Sequence, residues 1–207
     1  MKNVFMSAVI TCLGICTCIQ TAKAQNDGVE INGVMWATCN VDAPGTFTAN
    51  PEDEGMLYKW GSNIGWSDDG PPANTNGSNT WRHTTHNDDE WEIDYDPCPN
   101  GWRVPTLDEI QSLFDESVVS KAWTTLNNTY GIRFTDINNG NSIFLPAANA
   151  RDANDGSFGN GDFGCYWSCT PNSSDYAYYL YFDSGNTVWG NNDGDRGSGF
   201  SIRPVAE

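Results

Sequence analysis

From Gly131 to the C-terminus, the chain alternates between short apolar or aromatic segments and turns of Gly, Asn and Asp. The segments IRFTDI and SIFLPAAN flank Asn139-Gly140, a dipeptide that favours a tight hairpin turn. Four further segments follow: CYWSCT, AYYLYFD, NTVWG and FSIRPV. Short apolar segments separated by such turns predict antiparallel β-strands.

Ahead of these strands, the sequence predicts two helices. Thr106 with Glu109 three residues later forms a capping box, and an apolar stripe follows it at Leu107, Ile110, Leu113 and Phe114. A second, shorter helix is predicted over residues 120–127, with Trp123 and Leu126 facing inward. Asn32-Gly33 predicts a hairpin near the N-terminus. The order of strands, long loop, helices and strands indicates an α+β domain.

Residues 1–24 have the features of a signal peptide: Lys2, a short apolar stretch, and Ala22-Lys23-Ala24 as an A-x-A cleavage site. We therefore expect a single domain over residues 25–207, secreted or at the cell surface. A second apolar run of membrane-spanning length is absent from the sequence, so membrane insertion is not expected.

The charge of the chain narrows the range of partners. It carries 27 acidic and 10 basic residues, a formal net charge of −17, and cleavage would also remove Lys2 and Lys23. A strongly acidic surface repels phosphates of nucleic acids and anionic lipids, so neither is an expected partner.

Four cysteines lie beyond the predicted cleavage site: Cys39, Cys98, Cys165 and Cys169. In an exported protein they permit disulfides, with three possible connectivities. Cys165 and Cys169 are four residues apart in a predicted strand, too far to bridge each other. We therefore expect a Cys39–Cys98 disulfide, with Cys165 and Cys169 reduced and buried.

Metal and catalytic motifs are weak. His83 and His86 stand beside acidic residues 88–90 but lack a second ligand pair at zinc spacing. Oxygen ligands for calcium are plentiful at Asp152, Asn154, Asp155 and Asp162, yet the EF-hand spacing is broken. The sequence contains no G-x-S-x-G, H-E-x-x-H or glycine-rich phosphate loop. We expect no cofactor, with calcium as the one open possibility, and no enzymatic activity.

Five motifs in fixed order carry a family resemblance. They are CPNGWRVPTLDEIQSL at 98–113, FLPAANAR at 144–151, YWSCT at 166–170, AYYLYF at 177–182 and GFSIRPV at 199–205; MWATCNVDAPGTF and YKWG match farther upstream. Together they resemble the Fibrobacter succinogenes major paralogous domain family, common in exported proteins of Bacteroidetes. The resemblance implies a C-type lectin-like or formylglycine-generating-enzyme-like architecture. It also extends to the C-termini of variable receptor proteins diversified by retroelements.

The resemblance implies that the C-terminal strands present a binding surface on a fixed framework of Trp167, Leu180, Phe182 and Val188. Pro204 stands where many relatives have a cysteine, which leaves Cys98 available to Cys39. Strand alternation places Tyr179, Tyr181 and Asp183 opposite the framework. The predicted ligand surface consists of these three residues with Asn186, Trp189, Asn191, Asn192 and Asp193.

Three functions remain open on the sequence alone. The first is an exported module that binds a protein or carbohydrate ligand at a cell surface. The second is a structural or adhesin subunit of a surface assembly. The third is a degenerate enzyme of the formylglycine-generating type.

Overall fold

The computed structural model describes residues 28–84 and 89–207. The predicted signal peptide, His86 and Asp88 lie outside these ranges. The strands within them are β1 (Val29–Ile31), β2 (Val34–Trp36), β3 (Leu57–Tyr58), β4 (Gly65–Trp66), β5 (Trp102–Arg103), β6 (Val119–Leu126), β7 (Thr129–Asp136), β8 (Ser142–Pro146), β9 (Phe163–Pro171), β10 (Tyr176–Asp183), β11 (Val188–Asp195) and β12 (Val205–Ala206). One α-helix, α1 (Leu107–Ser112), and one 3-10 turn (Ile93–Tyr95) complete the elements of the described ranges.

The strands form four small antiparallel sheets. Their orders are β1-β2-β12-β5, β3-β4, β6-β7-β8 and β11-β10-β9. The helices of the described ranges are too short and too polar for a membrane-spanning segment.

The predicted α+β class with two helices is wrong, because the described chain is mostly β-structure with one short α-helix. The second predicted helix is strand β6, which pairs along its whole length with β7. Asn127 and Asn128 both adopt positive φ, 47° and 73°, as a two-residue hairpin turn requires. β-Branched Val119, Thr124 and Thr125 favour the extended backbone, and this preference together with the turn outweighs the apolar spacing of Trp123 and Leu126.

The first helix begins as predicted. The Thr106 hydroxyl accepts a hydrogen bond from the backbone N–H of Glu109 at 3.2 Å. In return, the Glu109 carboxylate accepts one from the backbone N–H of Thr106 at 2.7 Å and pairs with Arg103 at 2.6 Å. The capping box is therefore confirmed, and it turns Ile110 and Leu113 into the core.

The hairpins at Asn32-Gly33 and Asn139-Gly140 are also confirmed, between β1 and β2 and between β7 and β8. Strand β11 differs from its prediction, because the polar stretch at residues 191–195 continues the strand instead of forming a loop. Residues 192–195 of β11 pair with Tyr176 to Tyr179 of β10. A register shift separates this stretch from the pairing of Trp189 with Tyr181.

Two apolar clusters hold the sheets together, and the β11-β10-β9 sheet lies between them. On one face of this sheet, Leu180 and Phe182 join the first cluster with α1 and the β6-β7-β8 sheet. On the other face, Trp167 and Ala177 join the second cluster, which includes Trp60 and other residues of the N-terminal half. Gly164 fits this packing, because a Cβ there would lie 2.3 Å from the Phe182 ring.

Three arginines are almost fully buried: Arg151, Arg196 and Arg203. The Arg203 guanidinium donates to the Asn40 side chain at 2.8 Å and to the Thr38 carbonyl at 2.8 Å. It thereby joins the C-terminal motif GFSIRPV to the segment after β2. A buried guanidinium needs acceptors for its donors, and Nε and Nη1 find them here, so these contacts join the two segments.

Candidate functional site

An open cleft of about 350 Å³ lies against the tyrosine-bearing face of β10. Its far walls are the segment from Ala150 to Gly159 and the segment from Ser198 to Phe200. We call it the aromatic cleft, because its lining includes Phe158, Phe163, Tyr179, Tyr181 and Phe200.

The two-residue period of strand β10 produces this face. Leu180 and Phe182 are fully buried, 1% and 0% exposed, while Tyr179 and Tyr181, which alternate with them, are only half-buried. The prediction that Leu180 and Phe182 belong to the core is thus confirmed by their burial. The tyrosine side is not simply solvent-exposed, since it forms the floor of a cleft.

A row of stacked rings runs from the cleft to the surface. Phe163 and Tyr181 stack with centroids 6.1 Å apart, and Tyr181 and Trp189 stack at 5.4 Å. Trp189 is 51% exposed. Tyr179 belongs more to the interior, because its ring contacts Phe200 at 4.6 Å and meets Trp167 edge-on at 5.9 Å.

Both tyrosine hydroxyls are engaged. The Tyr181 hydroxyl donates to the Asp183 carboxylate at 3.2 Å, and the Tyr179 hydroxyl accepts from the Asn192 amide at 2.6 Å. Burial, with the nearby Asp183 carboxylate, raises the pKa of Tyr181 to about 12. Burial also raises the pKa of Tyr179. Both hydroxyls therefore remain protonated, and can exchange hydrogen bonds with a ligand, at neutral pH.

Arg151 fixes one wall of the aromatic cleft. Its guanidinium donates to the Ser67 carbonyl at 2.9 Å, the Gly156 carbonyl at 2.7 Å and the Asp69 carbonyl at 2.6 Å. It also lies over the Phe158 ring, 5.5 Å from its centroid. One buried side chain thus connects the loop after β4 to the cleft wall.

The eight predicted ligand-binding residues do not form one surface. Tyr179, Tyr181, Asn192 and Trp189 lie on or beside the aromatic cleft. Asp183 and Asn186 line a separate cavity of about 140 Å³ beside Trp123. Asp183 also accepts from the backbone N–H groups of Gly185 and Thr187, so it caps the β10–β11 turn.

The other two predicted residues face elsewhere. Asn191 lines a depression of about 430 Å³ with Gln111 and Phe114 of the α1 region. The Asp193 carboxylate accepts a hydrogen bond from the Asn172 amide at 2.9 Å. An extra residue in β11 puts Trp189 and Asn192 on the same face, opposite Tyr181 and Tyr179, and ordinary alternation then turns Asn191 and Asp193 to the other face.

Sequence reasoning missed Phe158, Phe163 and Phe200, as well as Arg151. The three phenylalanines come from separate segments that meet only in the folded chain. Local periodicity carries no signal for such a meeting. Arg151 stood within the motif FLPAANAR, but its acceptors near Ser67 are 84 residues away in sequence.

Three of the candidate metal ligands, His83, Asp152 and Asp155, contact other protein groups. His83 Nε2 lies 3.1 Å from the Asp195 carboxylate, while His86 is outside the described ranges. Asp152 and Asp155 each accept a backbone N–H two residues later, the usual arrangement of Asx turns. Within residues 28–84 and 89–207, no group of three or more His, Cys, Asp or Glu side chains is arranged to hold a metal ion.

The expected Cys39–Cys98 disulfide is not present, since Cys39, Cys98, Cys165 and Cys169 are all free thiols. The two residues have different surroundings. Cys39 lies next to Thr38 and near Arg203, whereas Cys98 lies near Asp96 and Cys169. Even number and export context alone could not distinguish these neighbourhoods.

No curated protein and no solved structure matches the chain significantly. The resemblance to the Fibrobacter succinogenes family and to retroelement-diversified receptors stays a prediction. One family model, that of the Lcl C-terminal domain, matches residues 30–206. This range takes in all four sheets and the aromatic cleft. The chain therefore belongs to the Lcl C-terminal domain family.

Proposed function

We propose that the chain is an exported binding module that takes a carbohydrate ligand in the aromatic cleft. The observation that carries this proposal is the stacked row of Phe163, Tyr181 and half-exposed Trp189 at the cleft. The electron-rich face of an aromatic ring favours the C–H groups on the flat side of a sugar ring. Secretion or display at the cell surface is part of the proposal and rests on the signal-peptide features of residues 1–24.

Polar groups around the cleft suit hydroxyl-rich ligands. Asp152, Ser157 and Ser198 line it together with the two tyrosines. Ligand sites commonly combine apolar walls with a few such polar groups, which fix orientation. Hydroxyl groups of a sugar could exchange hydrogen bonds with these side chains while its ring stacks on the half-exposed Trp189.

The net charge of the chain selects among carbohydrates. A formal charge of −17 repels polyanions, and the Asp152 and Asp183 carboxylates lie at or close to the cleft. The proposal is therefore restricted to neutral or amino-bearing saccharides. Sulfated and uronate-rich polysaccharides are expected not to bind.

The degenerate-enzyme alternative receives less support. It requires a reactive thiolate, and Cys165 is the thiol that lines the aromatic cleft among the described residues. Cys165 is 3% exposed, and burial raises its pKa far above the ordinary value. The nucleophilic form of a cysteine is the thiolate, so a buried thiol of high pKa is poorly suited to catalysis.

The test is titration of the protein with soluble neutral polysaccharides (a glucan, a mannan and a galactan) and with dextran sulfate. Binding is followed by calorimetry and by tryptophan fluorescence. We expect at least one neutral polysaccharide to bind with a Kd below about 1 mM, and dextran sulfate not to bind. Trp189→Ala should weaken the binding by roughly 2 kcal/mol or more.

Tyr130→Ala is the matched control, because Tyr130 is also 51% exposed but lies on β7, away from the cleft. It should leave binding unchanged. Equal loss in both variants, or the absence of binding to every neutral polysaccharide, would contradict the proposal. Self-association in sedimentation experiments, lost in Trp189→Ala, would instead favour the assembly-subunit alternative.

A further inference from the structure

A second pocket, of about 370 Å³, lies between the segment from Trp91 to Val104 and the end of strand β9. Cys98 and Cys169 both line it, one from each side. Arg103 and Trp102 form part of the same lining. Two thiols from residues 71 positions apart in sequence therefore share one pocket, which has no lining residue in common with the aromatic cleft.

Backbone hydrogen bonds hold the two cysteines in this arrangement. The Asp96 carboxylate accepts from the backbone N–H of Cys98 at 2.8 Å and from that of Val104 at 3.0 Å. The backbone N–H of Cys169 donates to the Pro105 carbonyl at 2.8 Å. Both cysteines are thus attached to the Val104–Pro105 stretch from opposite sides, and both pack against the second apolar cluster.

The other two thiols are placed differently. Cys39 is buried near Arg203. Cys165 is buried at the floor of the aromatic cleft, where its carbonyl accepts from the backbone N–H of Ser201 at 3.0 Å. Neither of them lines the second pocket.

The electrostatic surroundings set how readily the pair reacts. Burial raises the pKa of Cys169 to about 11, opposed by the Arg103 guanidinium. Burial, reinforced by Asp96, raises the pKa of Cys98 well above its usual value, and Arg103 again opposes the rise. Both thiols are protonated at neutral pH, and Arg103 is positioned to stabilise the thiolate that forms during exchange.

We propose that Cys98 and Cys169 are a redox pair that closes to an intramolecular disulfide in an oxidising compartment, with a small-molecule or protein disulfide as the oxidant. One cysteine loses its proton and attacks the oxidant's S–S bond, which releases the first oxidant thiol. The second cysteine then loses its proton and displaces the second oxidant thiol from the mixed disulfide. Two electrons and two protons pass from the protein to the oxidant, which leaves as two thiols.

The consequence is a covalent tie between the Cys98 segment and the sheet that carries the stacked aromatic row. A disulfide across a loop of about 70 residues is expected to raise the melting temperature by roughly 10 °C. This inference does not depend on the carbohydrate proposal, because the pair lies outside the aromatic cleft.

The test treats the full, reduced chain with oxidised glutathione, blocks the remaining thiols with iodoacetamide and maps a non-reduced digest by mass spectrometry. We expect a peptide that links Cys98 to Cys169, formed faster as the pH rises from 7 to 9. Melting should shift upward with the link. Cys39→Ser should retain both effects and Cys169→Ser should lose both.

Three results would overturn the proposal. One is a Cys39–Cys98 link in place of the expected one. Another is recovery of Cys98 and Cys169 as separate glutathione adducts, because that would show that the two sulfurs cannot reach each other. The third is recovery of both as alkylated thiols after prolonged oxidation. Since the mapping uses the unsubstituted chain, none of these results depends on a variant that fails to fold.

Discussion

The two faces of strand β10 differ in what their side chains contact. Leu180 and Phe182 are buried in the first apolar cluster. Tyr179 and Tyr181, which alternate with them, combine aromatic ring contacts with hydrogen bonds to Asn192 and Asp183 and border an open cleft. A single strand can therefore supply stability on one side and recognition on the other, because the side chains alternate with a period of two.

The largest expected effect is on the core face. Phe182→Ala should destabilise the protein by about 3–5 kcal/mol, because Phe182 is fully buried and packs against Tyr166 at 5.9 Å and Trp123 at 6.3 Å. Urea denaturation would measure the loss. A change below about 1 kcal/mol would mean that the core face is not what holds this sheet in place.

On the cleft face, the effects should fall on binding. Trp189→Ala and Tyr181→Ala should each weaken capture of the neutral polysaccharide by roughly 2 kcal/mol or more, since exposed aromatic anchors dominate recognition surfaces. Calorimetry gives the affinities.

The same two variants should lose only roughly 1 kcal/mol of stability each, because their rings are half-buried or exposed. If Tyr181→Ala unfolded the protein as readily as Phe182→Ala, both faces would be structural and the contrast between them would disappear.

A smaller loss of stability is expected at the start of helix α1. Thr106→Ala should destabilise the protein by about 1 kcal/mol, because it removes the hydroxyl that accepts the Glu109 N–H. Helix α1 packs against the β11-β10-β9 sheet from the core side, so affinity per folded molecule should stay constant. Thermal melting and calorimetry on the same sample separate the two quantities.

A further effect concerns the pH dependence of stability at Glu54, in the segment that precedes β3. Burial, together with Asp68 and Asp69, raises the pKa of Glu54 to about 7. A pKa raised on folding contributes stability that is complete below about pH 4.5 and is lost as the pH rises through about 7. The melting temperature of Glu54→Gln minus that of the unsubstituted chain should therefore increase as the pH is raised from 5 to 8.

Glu92→Gln, at an exposed position, controls for the loss of one negative charge. Its difference from the unsubstituted chain should stay flat over the same range. A flat difference for Glu54→Gln as well would show that the carboxylate is solvated in the folded protein.

Local signals predicted local structure well. The capping box at Thr106 and the Asn-Gly turns depend on contacts within a few residues, so the sequence was sufficient for them. The helix predicted over residues 120–127 was wrong. Trp123 and Leu126 fit a helical spacing, but the turn at Asn127-Asn128 and the β-branched neighbours favoured a strand. The decisive signal was this turn, at the end of the segment.

The site was predicted only in part, for a related reason. Strand alternation correctly separated Phe182 from Tyr181. It could not anticipate the extra residue in β11 that puts Asn192 on the same face as Trp189, with Asn191 and Asp193 on the other. Nor could it bring Phe158 and Phe200 to the cleft, since their meeting with Tyr181 depends on long-range packing.

The position of β12 has a consequence for the order in which this protein can fold. Val205 pairs with both Trp36 and Arg103, so the last strand completes the interior of the sheet that the first strands begin. Before residues 203–206 join the fold, the chain lacks this inner strand and the Arg203 contacts to Asn40 and Thr38. The β1-β2 hairpin and β5 therefore cannot complete their sheet until this distant segment docks between them.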